Sequence, residues 1–136
     1  MQSINVFVYG TLKPDETSYF LCRDSVISAV PAIVRAALYH LPLGYPAIVP
    51  GNAATYGYLL SFNDRAILEI LDDYEQHDPE TIALFGLDNN YDRKEIEVFA
   101  LNGDFIGLAW AYVMTLDQVD RLNGIPAPDG IWQSKK

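Results

Sequence analysis

This 136-residue chain has one cysteine, half as many basic as acidic residues and no long apolar run. Cys22 is its one cysteine, so no disulfide can form within the chain, which suits a reducing cytoplasm. Nine Lys and Arg residues against 18 Asp and Glu residues give a net charge of −9, which disfavours nucleic acid and anionic membranes as partners. No stretch approaches the roughly 20 apolar residues of a membrane span, and Met1-Gln2-Ser3 lacks the basic start of a signal peptide. A cytoplasmic location is expected.

The rest of the composition is that of an ordinary folded domain, with 50% hydrophobic and 20% charged residues. The length fits one domain, expected to span residues 1–136. Apolar runs and alternation predict strands at residues 4–9, 26–30, 33–41, 55–62, 91–101 and 105–114. A helix is predicted from a cap at Asn63 or Asp64 to Tyr74 or Glu75, and a shorter one at Leu116 to Leu122.

Turn signals separate these elements. Pro31 is expected to interrupt two strands, residues 42–52 are rich in proline and glycine, and Asn102-Gly103 is a hairpin signal. Many strands with one main helix predict the α+β class. The expected fold is a small curved or barrel-like mixed sheet packed with that helix and short extra helices. Residues 76–90 form a long predicted loop, a candidate lid with an apolar patch at Ile82 to Phe85.

The first candidate for chemistry is Tyr9-Gly10-Thr11-Leu12, directly after the first predicted strand. A strand that breaks at a glycine leaves backbone N–H groups without ladder partners, and such groups can hold an anion or oxyanion. Gly10 could equally do no more than turn the chain at the strand end.

The second candidate is Glu75, at the end of the predicted main helix. With Ile67 at zero and about 100° per residue, Leu71 falls near ~40°, Glu75 near ~80° and Leu68 near ~100°. A carboxylate between core positions is costly unless it is paired, hydrogen-bonded or protonated, which is typical of a functional acid. A glutamate at a fraying helix end can also turn into solvent.

Other kinds of site fit the sequence poorly. The acidic cluster from Asp72 to Glu80 contains oxygen ligands, but without a recognised metal-binding spacing it is best read as a solvated surface. The run that opens at Asp88 lacks the glycine and the final glutamate of an EF-hand loop. No nucleophile motif accompanies either histidine, and no Walker-type phosphate loop is present. No metal site is predicted.

The order and spacing of several short elements resemble the gamma-glutamylcyclotransferase-like family, over most of the chain. These elements are Val8-Tyr9-Gly10-Thr11-Leu12, Leu38-Tyr39, Tyr45-Pro46-Ala47, Gly57, Leu71-Asp72-Asp73-Tyr74-Glu75, Tyr91-Asp92-Arg93 and Ala109-Trp110-Ala111-Tyr112. The resemblance implies a small barrel-like fold and a cyclotransferase that uses neither metal nor organic cofactor.

The resemblance also implies roles for individual residues. The backbone amides of Tyr9 to Leu12 would bind the substrate, Tyr112 would lie nearby, and Glu75 would be the general acid/base. The α-amine of a γ-glutamyl compound would attack its own γ-carbonyl, which forms 5-oxoproline and releases an amine or amino acid.

Two alternatives stay open on the sequence. The same residues could form a non-catalytic module that binds a small carboxylate-bearing metabolite, or the apolar patch and acidic surface could serve a protein partner. The leaving group and the oligomeric state are not predicted.

Overall fold

The computed structural model of the protein describes residues 4–10, 13, 25–42, 46–63, 66–76 and 92–132, with the backbone alone at residues 72–76. The strands and helices of this part are β1 Ile4–Val8, β2 Val26–His40, β3 Pro46–Phe62, α1 Ala66–Gln76, β4 Asp92–Phe99, β5 Phe105–Val113, α2 Leu116–Arg121 and β6 Ile125–Pro126. Within these residues, neither helix has the length and apolar character needed to cross a bilayer.

The strands form one mixed sheet that closes on itself. Their order is β3-β1-β5-β4-β2-β6, and β2 pairs additionally with β3, so five strands complete a ring to which β6 is added. The pairing of β1 with β5 is parallel, and the other pairings are antiparallel. Closure leaves few unpaired strand edges. The α+β class and the barrel-like sheet expected from the sequence are confirmed.

Side chains on the two faces of the sheet enter different apolar clusters. On β1, Phe7 belongs to the cluster inside the ring, whereas Val6 and Val8 belong to a cluster that includes residues of α1. This alternation follows from the two-residue period of a strand. Helix α1 therefore covers the outer face of the sheet beside β1.

Helix α1 buries one side. Ile67, Leu68 and Leu71 are buried, as their helical spacing predicts, while Ile70 is 49% exposed. Ile70 is an apolar residue outside this buried side. It lies near ~300° on the wheel on which the three buried residues span zero to ~100°.

Pro31 does not separate two strands. Strand β2 runs unbroken from Val26 to His40, and Pro31 pairs opposite Tyr58 of β3. Proline removes a backbone donor, which is tolerated where a strand has a neighbour on one side only. Pro31 precedes Ile33 and Val34, the residues at which β2 meets β4 on its other side.

The proline- and glycine-rich stretch after residue 42 was expected to be turns, but most of it belongs to strand β3, which begins at Pro46. Arg35 pairs with Ala54, while the next residue of β2, Ala36, pairs with Pro50. Residues 51–53 therefore have no partner in β2 and form a bulge. The turn-forming residues bend a long strand instead of ending it.

Two local predictions are confirmed. Strands β4 and β5 form a hairpin, with Gly103 in the left-handed region at a φ of 96°. Helix α2 begins after Thr115, whose side chain caps it together with Gln118. The predicted lid at residues 76–90, with Ile82 to Phe85, lies outside the described residues apart from Gln76, the last residue of α1.

Candidate functional site

A buried hydrogen bond joins the ends of the two parallel strands β1 and β5. The Tyr9 hydroxyl donates to the backbone carbonyl of Tyr112 over 2.6 Å, and both residues are buried. The Tyr9 ring stacks on Phe7 inside the ring of strands, with centroids 6.3 Å apart. The Tyr112 side chain belongs instead to the outer cluster, with Leu71 of α1. The structure thus brings these two predicted site residues together through a hydroxyl and a carbonyl.

Gly10 follows Tyr9 at a place with no room for a side chain. A Cβ atom at Gly10 would lie 2.6 Å from Cγ of Pro46 and 4.0 Å from Cε3 of Trp132. Gly10 has no positive φ, so close packing rather than left-handed backbone requires glycine here. The first residue of β3 therefore sits against the backbone that follows β1.

A second glycine fixes β1 just before this point. A Cβ atom at Gly57 of β3 would lie 2.2 Å from the carbonyl oxygen of Val8, far inside contact distance. A glycine within a strand is typical of such a close approach between two backbones. It sets the position of Val8, directly before Tyr9.

The chain turns between Gly10 and Lys13. The Lys13 N–H donates to the Gly10 carbonyl over 3.0 Å, a spacing typical of a four-residue turn. Thr11 and Leu12, the other predicted binding residues, lie outside the described residues. Whether the amides of this turn face a common hollow stays a prediction.

Lys13 and four residues around it form a group that we call the turn cluster: Gly10, Lys13, His40, Pro46 and Trp132. The Lys13 ammonium donates to the backbone carbonyl of Trp132. The Trp132 indole N–H in turn donates to Nδ1 of His40 over 3.2 Å. His40 and Pro46 are paired residues at adjoining ends of β2 and β3. The cluster thus connects the turn after β1 to a residue 119 positions further along the chain.

Glu75 lies in the last turn of α1, because the helix extends to Gln76. Its backbone position is one helical turn after Leu71, which is fully buried in the cluster that also contains Val8 and Tyr112. The Glu75 side chain is outside the described part of the structure, so its role as the acid stays a prediction. Across the residues that are described, no group of three or more His, Cys, Asp and Glu side chains could hold a metal ion.

Sequence reasoning missed most of the turn cluster. Neither Trp132 nor Lys13 was predicted to belong to a site, and the histidines were considered only for a nucleophile motif. The available signal was Trp132 itself near the end of the given sequence, because such a large apolar side chain usually finds a buried place.

Comparison with known proteins connects this geometry to a family. The model of the family described as gamma-glutamyl cyclotransferase, AIG2-like, matches residues 6–134, nearly the whole chain. The chain belongs to this family. The AIG2-like cyclotransferase assignment confirms the resemblance seen in the sequence, and it supports an enzyme of this kind.

Individual relatives are consistent with the assignment of the chain to the AIG2-like family. The chain is 27% identical over 113 residues to the gamma-L-glutamyl-butirosin B gamma-glutamyl cyclotransferase of Niallia circulans, covering 83% of this chain and 68% of that protein. An AIG2-like protein of Mus musculus superposes with a TM-score of 0.66 at 19% identity, covering 100% of this chain and 98% of that one.

Bacillus subtilis YkqA also shares the fold, with a TM-score of 0.68 at 22% identity. The match covers 96% of this chain but 40% of YkqA, so the chain spans about two fifths of that protein. At these identities the two structural matches show the fold alone, which is the AIG2-like fold.

Proposed function

We propose that this AIG2-like protein converts a γ-glutamyl compound into 5-oxoproline and a free amine or amino acid. Glu75 is the general acid/base in this proposal, and Tyr9, Gly10, Thr11, Leu12 and Tyr112 bind the substrate. The family assignment and the relative from Niallia circulans support cyclotransferase chemistry. The proposed residues and product go beyond that support.

The observation that carries the proposal is the side of α1 that faces the sheet. Ile67 and Leu68 are both buried and bound an arc of about 100° on the helical wheel, within which position 75 falls near ~80°. Leu71, one turn earlier, shares its buried cluster with Val8 and Tyr112. Val8 precedes Tyr9 in the chain, and Tyr112 carries the carbonyl to which the Tyr9 hydroxyl donates. We propose that the Glu75 side chain lies on this side of the helix and reaches the ends of β1 and β5.

In our proposal the turn after β1 supplies the backbone donors that face this acid. The packing of Gly10 against Pro46 and of Gly57 against Val8 holds the backbone at the start of this turn. Backbone N–H groups in a turn are fixed dipoles, and they stabilise an anion without having to reorganise during the reaction. In our proposal these amides bind the α-carboxylate or the γ-carbonyl oxygen of the substrate.

The reaction is an intramolecular acyl transfer. The α-nitrogen forms a bond to the γ-carbonyl carbon, a five-membered ring closes, and the bond from that carbon to the leaving nitrogen breaks. The α-ammonium loses two protons and the leaving nitrogen gains two, so atoms and charge balance with no co-reactant. Holding the substrate folded on itself contributes up to about 7–11 kcal/mol, and proton transfer through Glu75 contributes about 10²–10⁴-fold in rate.

The test is to incubate the purified protein with a panel of γ-glutamyl dipeptides and γ-glutamyl amines and to follow the products by mass spectrometry. We expect 5-oxoproline and the free amine in equal amounts from at least one compound. A folded protein that releases 5-oxoproline from none of them would contradict the proposal. Thermal stabilisation by the same compounds without turnover would favour the alternative, a non-catalytic binding module.

A further inference from the structure

Lys13 differs from the other buried polar residues of the described part of the chain. These are Lys13, Thr55 and Gln118, and Lys13 alone carries a full charge, at 5% exposure. The Thr55 hydroxyl donates to the carbonyl of Ala36, and Gln118 caps helix α2. Both neutral side chains therefore have roles in the fold, whereas Lys13 takes no part in a strand or helix.

The described residues provide little compensation for the charge of the Lys13 ammonium. An ammonium has three N–H donors, and among the described residues its acceptor is the carbonyl of Trp132. No described carboxylate forms an ion pair with it. A buried charge is expensive unless an opposite charge or several hydrogen bonds compensate it, and one carbonyl is only a partial dipole. Two of the three N–H donors of Lys13 have no acceptor among the described residues, and an anion would engage them and balance the charge.

The position of Lys13 in the chain indicates which anion its ammonium would bind. Lys13 closes the turn that begins at Gly10, directly after Tyr9. This is the turn whose amides bind the substrate in the proposed function. A γ-glutamyl group carries one permanent negative charge, its α-carboxylate, whereas the oxyanion at the γ-carbonyl exists only during the reaction. A permanent buried cation is matched best by the permanent anion.

We infer that the Lys13 ammonium binds the α-carboxylate of the γ-glutamyl group, an inference that rests on the proposed function. The carbonyl of Trp132 positions the ammonium, and the indole bond to His40 holds Trp132 in place. The α-carboxylate keeps its charge from bound substrate to product, so Lys13 stabilises ground state and transition state alike. Its loss then acts mainly on KM rather than on kcat.

The test compares two versions of a γ-glutamyl compound that the protein turns over, one with its natural α-carboxylate and one with an α-carboxamide. Lys13→Met should lower kcat/KM for the carboxylate about 10- to 100-fold, mainly through KM, because a hydrogen bond between charged partners is lost. For the carboxamide, Lys13→Met and the unaltered protein should agree within about twofold. Lys94→Met removes an exposed lysine of β4 and is the matched control, expected to change neither value.

Equal losses of activity on the two compounds would overturn the inference, because a purely structural lysine affects both. If the Lys13→Met protein does not fold, a measurement on the unaltered protein tests the inference instead. The ¹⁵Nζ resonance of Lys13 should shift on addition of 5-oxoproline and stay in place with the carboxamide of 5-oxoproline. Equal shifts with both ligands, or none with either, would also overturn it. This binding result is independent of turnover, so an inactive protein would refute the proposed function without deciding the role of Lys13.

Discussion

Replacement of Gly57 by alanine should destabilise the protein and disturb the candidate site together. The new methyl group would lie 2.2 Å from the Val8 carbonyl oxygen and 2.8 Å from Cζ of Phe7. The first neighbour is backbone, so the clash cannot be relieved by turning a side chain. Strands β1 and β3 would have to separate at a point where Val8 pairs with Tyr58.

Overpacking of this kind costs typically 1–3 kcal/mol, and a contact with backbone in a closed sheet belongs at the upper end, about 2–3 kcal/mol. For a chain of this length that corresponds to a fall in melting temperature on the order of 10 °C. Urea unfolding followed by circular dichroism measures the free energy, and calorimetry measures the temperature. We also expect a lower kcat/KM, because Val8 immediately precedes Tyr9 and Gly10.

Gly51→Ala is the matched control. Gly51 lies in the bulge of β3, where an added Cβ atom would have its nearest neighbour at 3.8 Å, an ordinary contact. The free energy of unfolding of the Gly51→Ala protein should stay within about 0.5 kcal/mol of the value for the unaltered protein, or rise slightly because alanine restricts the unfolded chain. Equal stabilities of Gly57→Ala and Gly51→Ala would refute the close approach of β3 to β1.

Two further substitutions test the contacts around the site. Tyr9→Phe removes the 2.6 Å bond to the Tyr112 carbonyl and should lower the free energy of unfolding by about 1–2 kcal/mol, measured in urea, whereas Tyr56→Phe at a 40% exposed tyrosine should leave it unchanged. Leu71→Ala empties a fully buried position and should lower the free energy of unfolding by about 2–5 kcal/mol in the same assay. Ile70→Ala, one residue earlier on the exposed side of α1, should cost under about 1 kcal/mol, and similar losses for the two would contradict the orientation of the helix.

Much of the fold could be predicted from the sequence because its signals are local. At the Asn102-Gly103 turn the Asp104 N–H donates to the Asn102 side chain, and Thr115 and Gln118 cap the next helix, so both features depend on residues within four positions of each other. The long strands β2 and β3 could not be predicted in the same way. Their pairing with each other carries the chain past Pro31 and through the bulge at residues 51–53, so tertiary pairing overrides the local turn signals.

The candidate site also contains some residues that local sequence signals predict and others that only tertiary contacts bring together. Tyr9 and Gly10 were predicted because they end a strand, and Glu75 because of its helical period. The contact of Lys13 with Trp132 joins residues 119 positions apart, and no spacing in the sequence predicts this contact. The need for glycine at Gly10 also comes from a distant residue, Pro46, and not from its own backbone angle.

The most direct test of the central claim compares Glu75→Gln with Glu69→Gln. The two substitutions make the same change in the same helix, and Glu69 is exposed. With the best γ-glutamyl compound, we expect Glu75→Gln to lower kcat for 5-oxoproline release by at least about 10²-fold while the fold and ligand binding persist, because proton transfer is lost. Glu69→Gln should match the unaltered protein. A folded Glu75→Gln protein that releases 5-oxoproline at the unaltered rate would contradict the account.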